Sequence, residues 1–119
     1  MRESGEMYLE TILVLGFKNK NVRAVDVVEE IGFSKASVSR ALAKLKQDNH
    51  ITVDPHGYIE LTRSGRTIAK KIYERHQILS QLLMDLGVDE KTALADACKM
   101  EHDISDRSFN AIKRRVKNK

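Results

Sequence analysis

Residues 24–46 read AVDVVEEIGFSKASVSRALAKLK, and the reading of this stretch decides the fold. Val25, Val28 and Ile31 mark a short helix that Gly32 stops; Arg23 and Ala24 offer no side-chain acceptor at its start. Ser34 stands where a cap should open the next helix, in which Val38, Ala41, Leu42 and Leu45 recur at i, i+3, i+4 and i+7. The opposite face carries Ala36, Arg40, Ala43 and Gln47, flanked by Lys35, Ser37, Ser39 and Lys44. Small and basic residues there let the helix lie close to something negative. Two short helices joined by Gly32-Phe33-Ser34, the second with such an outer face, make a helix-turn-helix.

The segment after it adds support. In residues 51–61, ITVDPHGYIEL, Ile51 and Val53 alternate with polar residues, as do Ile59 and Leu61, around the turn chemistry of Asp54-Pro55-His56-Gly57. A β-hairpin directly after the second helix is the wing of a winged helix, and His56 and Tyr58 at its tip could touch DNA or be a turn and a packed ring. The second helix would enter the major groove, with Arg40 on guanine, Ser34, Ser37 and Ser39 on phosphate or bases, Ala36 close to the groove, and Lys35 and Lys44 on phosphate.

Around this core the chain reads as helical. Upstream, Met7, Leu9, Ile12, Leu13 and Phe17 fit a helix over about 3–17, with Met7 and Glu10 one turn apart. Downstream, Thr62 can cap a long helix to about Leu86 whose stripe is Ile68, Ile72, His76, Leu79, Leu83 and Leu86. An apolar seam of that length should meet another helix, so self-association is expected. Asp89 caps a helix lined by Ala93, Leu94, Ala97 and Cys98, and Ser105 caps a last one with Phe109, Ile112 and Val116 inward. The fold class is therefore mainly α with a small β-hairpin: a winged-helix domain over 1–62 and an all-helical domain over 63–119.

Composition sets the bounds. At 119 residues, 41% hydrophobic and 32% charged, the chain can bury a real core but not two full-sized domains. One cysteine makes no internal disulfide, and no apolar run approaches membrane-spanning length, so a reducing cytoplasm is expected. The net charge of +4 is unevenly placed, with Lys35, Arg40, Lys44 and Lys46 in one cluster and Lys113, Arg114, Arg115, Lys117 and Lys119 in another. Such patches suit a polyanion partner or a solvated helix face.

Chemistry concentrates in Cys98-Lys99-Met100-Glu101-His102. On one helix, Cys98, Glu101 and His102 fall at i, i+3 and i+4 and would aim a thiolate, a carboxylate and an imidazole at one spot. One helix cannot close a metal shell, so Met7 with Glu10, and His76, are the candidates to lend further donors. Taken alone, Met7 fits core filler, Glu10 a surface charge and His76 a hydrogen-bonded core residue.

Together these pieces resemble the diphtheria toxin repressor and manganese transport regulator family. The likeness runs from Glu6-Met7-Tyr8-Leu9-Glu10 through Leu61-Thr62-Arg63-Ser64-Gly65 to Glu101-His102-Asp103-Ile104-Ser105-Asp106. It implies a homodimeric, metal-activated repressor of metal-uptake genes in a short form without the family's SH3-like domain. It further implies metal ligands at Met7, Glu10, His76, Cys98, Glu101 and His102. Manganese-type members carry carboxylates at the positions of Met7 and Cys98, whereas this chain has sulfur at both. Soft donors favour Fe(II) over Mn(II). Ser80 and Leu94 stand where the iron type's ancillary ligands would be, while Glu10 resembles the manganese type.

Two rivals are open to the same residues. A winged-helix repressor without metal could use Cys98 as an oxidant-sensing thiol. An enzyme with Cys98 as nucleophile and His102 as base would need an orienting acid and an oxyanion pocket that the sequence does not offer, so no catalysis is expected.

Overall fold

The computed structural model describes residues 3–19 and 21–118. Lys119, placed above in the C-terminal basic cluster, lies outside the described residues. Among these there are six helices and one hairpin: α1 Glu3–Lys18, α2 Ala24–Ile31, α3 Lys35–Gln47, β1 Ile51–Val53, β2 Ile59–Leu61, α4 Arg63–Asp85, α5 Glu90–Met100 and α6 Asp106–Lys117. The chain divides into two compact units, Met1–Lys70 and Lys71–Lys119, with the division inside α4.

In the N-terminal unit, α1, α2, α3 and the hairpin enclose a core of Leu9, Ile12, Leu13, Val22, Val27, Val38, Leu42, Leu45, Ile51 and Ile59. Full burial of each of the larger aliphatics contributes about 1.5–3 kcal/mol before chain entropy is counted. The apolar stripe of α3 turns inward as its spacing predicts, with Val38, Leu42 and Leu45 buried and its basic face outward. In α2 the inward residue is Val27, fully buried, while Val25 is 52% exposed, a correction to the stripe assigned above.

Capping chemistry sets most helix limits. Ser34, Asp89 and Ser105 each accept from the backbone N–H three residues on, as their positions predict. The start of α2 is better held than expected: the carboxylate of Asp26 reaches back to accept from Arg23 N at 2.9 Å. Gly32 ends α2 at φ 80, where a β-carbon is unfavourable. After α3, Asn49 takes the left-handed conformation at φ 62, and His50 N returns to Leu45 O at 2.9 Å.

The hairpin is antiparallel, with Ile51 opposite Leu61, Thr52 opposite Glu60 and Val53 opposite Ile59. Asp54 shapes its turn by accepting from His56 N at 2.8 Å and Tyr58 N at 2.9 Å. Ile59 N donates to Val22 O at 2.7 Å, which ties the hairpin to the loop before α2. At the hairpin's exit Thr62 Oγ1 donates to Asn49 O at 2.7 Å and receives Gly65 N at 3.2 Å, so one hydroxyl both caps α4 and fastens it to the end of α3.

The C-terminal unit packs the rest of α4 with α5 and α6 around Ile72, Leu79, Ala93, Ala97 and Phe109. Leu86, assigned above to the stripe of α4, is instead 73% exposed, and an arginine of that helix, Arg75, is buried at 5% exposure. On α5 only Ala93 and Ala97 are buried, whereas Leu94 and Cys98 are exposed.

Candidate functional site

The donors of the C-terminal unit meet at the end of α5. His76 Nδ1 lies 3.0 Å from Glu101 Oε2, and Cys98 Sγ lies 3.8 Å from the same nitrogen. The ligand atoms of His76, Cys98 and Glu101 all fall within 4.8 Å of one another. Donors held at about 2.0–2.3 Å from a transition metal stand about 3–4 Å apart, so these three fit one coordination sphere with little movement. Glu101 is 1% exposed, and a carboxylate that deep is costly without partners. Its second oxygen is met by His102 Nε2 at 3.4 Å. A carboxylate flanked by an imidazole at each oxygen can hold one ion or bridge two.

The geometry departs from the single helix face assumed above. Helix α5 ends at Met100, so Glu101 caps it and His102 belongs to the turn beyond. The convergence comes from a helix end packed against α4, with His76 facing Cys98 and Glu101. Met7 and Glu10 lie three residues apart on α1 in the N-terminal unit, both half-buried. Ser80 is buried and donates to His76 O at 2.6 Å, which engages its hydroxyl within the helix.

Sequence reasoning missed Arg75. Its Nη1 donates to Glu101 O at 3.1 Å and to Ile104 O at 2.6 Å, and its Nη2 to the Asp106 carboxylate at 2.5 Å. Lys71 reaches the same carboxylate at 3.0 Å. Hydrogen bonds from Lys71 and then Arg75 hold the Asp106 carboxyl below its ordinary range.

A second candidate surface is the outer side of α3 with the hairpin. Lys35, Ala36, Ser39, Arg40 and Lys44 are exposed along α3, and His56 at the hairpin tip is exposed as well. Ser34 and Ser37 are engaged at the helix start: Ser34 Oγ accepts from Ser37 N at 3.1 Å, and the two hydroxyls stand 2.9 Å apart. Arg40 Nη2 donates to Ser37 Oγ at 3.4 Å and Lys44 pairs with Asp48 at 3.4 Å, both contacts weak enough to exchange for phosphate or a base edge. Tyr58 is half-buried beneath Arg23, whose guanidinium sits 4.7 Å from the ring centre, with His56 5.9 Å to the side. Arg23 is thus a cation of this surface that no local sequence signal disclosed.

Helix α1 packs on α3 within the N-terminal unit. Tyr8, next to Met7, is 4% exposed and meets Phe33 edge-on at 6.5 Å. Burial pushes the Tyr8 phenol above its ordinary value, and the nearby Arg40 guanidinium partly opposes this.

A winged helix with a basic recognition face, followed by a helical unit holding a His–Cys–carboxylate cluster, defines a DNA-binding regulator with a metal-binding capacity. The comparisons with known proteins agree. Residues 1–58 match the family described as "Iron dependent repressor, N-terminal DNA binding domain", and residues 62–119 match "Iron dependent repressor, metal binding and dimerisation domain". An uncharacterized HTH-type transcriptional regulator of Methanocaldococcus jannaschii is 33% identical over 115 residues, covering 95% of this chain and 92% of that one. The HTH-type transcriptional regulator MntR of Bacillus velezensis is 31% identical over 109 residues, covering 92% of this chain and 77% of its own. A solved manganese-dependent transcriptional repressor in complex with manganese superposes with a TM-score of 0.86 at 28% identity, over 94% of this chain. The chain spans 52% of the length of that structure. The chain belongs to the iron-dependent repressor family, the diphtheria toxin repressor and manganese transport regulator group of metal-dependent transcriptional repressors. This is a family of regulators, not of enzymes. No helix among the described residues is long and apolar enough to cross a membrane.

Proposed function

We propose that this protein is an Fe(II)-activated repressor that acts as a cytoplasmic homodimer on operator DNA of metal-uptake genes. The observation that carries the reading is the Cys98 thiol beside His76 and Glu101. A thiolate with an imidazole and a carboxylate favours a later, softer ion than Mn(II). In this reading His76, Cys98, Glu101 and His102 hold the metal with Met7 and Glu10 from α1, residues 1–62 bind DNA and residues 63–119 bind metal and dimerise. A metal held there would be the Lewis acid that accepts electron pairs from these donors and so joins them in one coordination sphere. Because α1 packs on α3, a metal engaging α1 would also act on α3, and DNA would then raise metal affinity by the factor by which metal raises DNA affinity.

Mn(II) is the second reading, favoured by the oxygen donors Glu10 and Glu101 and by relatives named for manganese. The test is anaerobic binding to a promoter fragment titrated separately with Fe(II), Mn(II) and Zn(II), with a chelator control. Response to Fe(II) at lower free concentration than Mn(II) supports the proposal, and the reverse order assigns manganese. Full binding in chelator would leave a metal-independent repressor, with Cys98 as its candidate redox sensor.

A further inference from the structure

We propose that Arg75 is a positioning residue of the metal site, whose guanidinium sets where Glu101 and His102 stand; this rests on the metal reading above. Consecutive residues of α4 grip Glu101 at both ends. His76 Nδ1 meets its carboxylate at 3.0 Å, and Arg75 Nη1 meets its main-chain carbonyl at 3.1 Å. A ligand's side chain can reach the metal only from where its backbone is held.

The turn after α5 is held from within by two main-chain bonds. Asp103 N and Ile104 N both return to Met100 O, each at 3.2 Å, and those bonds leave the carbonyls of Glu101 and Ile104 as acceptors beyond the helix end. Both are taken by the single Nη1 of Arg75, while Nη2 anchors the guanidinium to Asp106 at the start of α6. The group is 7% exposed and lies 5.4 Å from the Phe109 ring centre, so packing as well as hydrogen bonding fixes its plane. Its Nε has no partner among the described residues, so the orientation follows from the two terminal nitrogens. A planar fork reaching two carbonyls and a carboxylate is something a lysine ammonium does not reproduce.

The test uses the full chain, wild type beside Arg75→Lys and Asp106→Ala, titrated anaerobically with Co(II) as a spectroscopic probe. The visible absorption at saturation reports coordination geometry, and melting of the metal-free chains reports the fold. Arg75→Lys keeps a cooperative metal-free melt, binds Co(II) about 10–100-fold more weakly, as outer-shell partners of metal ligands do, and shifts the saturated spectrum. Wild-type affinity and spectrum in Arg75→Lys overturn the proposal. Should that variant not fold, Asp106→Ala decides in the same assay: weaker Co(II) binding supports the role and wild-type binding overturns it. A wild-type chain that takes up no Co(II) sinks the metal reading together with this one, whereas normal uptake by wild type and variants alike sinks this one alone.

Discussion

Gly65, in the first turn of α4, lies against the main-chain carbonyl of His50 so closely that a β-carbon there would overlap the oxygen. That oxygen already accepts from Thr62 N at 3.1 Å, and the neighbouring Asn49 carbonyl accepts from the hydroxyls of Thr62 and Ser64. Backbone on both sides leaves nothing flexible to give way. Gly65→Ala is therefore expected to destabilise the winged-helix unit by about 1–3 kcal/mol, the usual cost of overpacking. Urea unfolding checks it, and a midpoint equal to wild type would remove the close approach from the account.

Asp89 gives the fold an acid-sensitive cap. Its carboxylate accepts from Thr92 N at 3.0 Å; that bond, and next the Thr92 hydroxyl, hold the carboxyl below its ordinary value. A group with a lower pKa folded than unfolded stabilises fully above the unfolded value of about 4, and that stability is lost as the pH falls through the folded one. Asp89→Asn keeps an acceptor but does not titrate. The expected outcome is a melting temperature close to wild type at neutral pH and a shallower loss below about pH 4. An unchanged acid limb would show that the cap does not contribute to it.

How much was legible in the sequence follows from how each feature is encoded. The stripe of Val38, Leu42 and Leu45, the alternation around Asp54–Gly57 and the caps Ser34, Asp89 and Ser105 are local patterns, and the structure realises each of them. Arg75 was not legible, because an arginine on a long helix reads as solvated and its partners are main-chain carbonyls 26 and 29 residues further on. The end of α5 escaped for the opposite reason: no glycine or proline follows Met100, so the helix seemed to run on through His102. Arg23 on Tyr58 joins residues far apart in sequence. Val25 was misassigned because eight residues of α2 hold too few turns to separate it from Val27 by period alone.

Cys98 should decide which metal is preferred. Its thiol is the soft donor in a cluster otherwise made of imidazole and carboxylate. Cys98→Asp replaces sulfur by oxygen and is expected to move the preference from Fe(II) toward Mn(II) by about 10–100-fold, a change of the size metal sites show when a tuning group is altered. Competition titrations of the two ions against one chelator read the ratio directly. A ratio unchanged in the variant would assign selectivity to the other donors.

Arg40 and Lys44 lie one helical turn apart on the exposed face of α3, yet they should fail differently when removed. Arg40 carries a planar fork now resting weakly on Ser37, free to pair with the O6 and N7 of guanine. Lys44 carries a point charge paired with Asp48 at 3.4 Å, an exposed contact of little worth that phosphate can displace. Arg40→Ala is expected to lose about 1–3 kcal/mol on the operator and to relax preference at one base pair. Lys44→Ala should weaken all sequences alike and lower the slope of log affinity against log salt by about 1, because one fewer phosphate is neutralised. Binding measured across salt concentrations on matched and single-mismatch operators separates the two. If both variants lose affinity in the same proportion on every sequence, Arg40 reads no base and the recognition face must be reassigned.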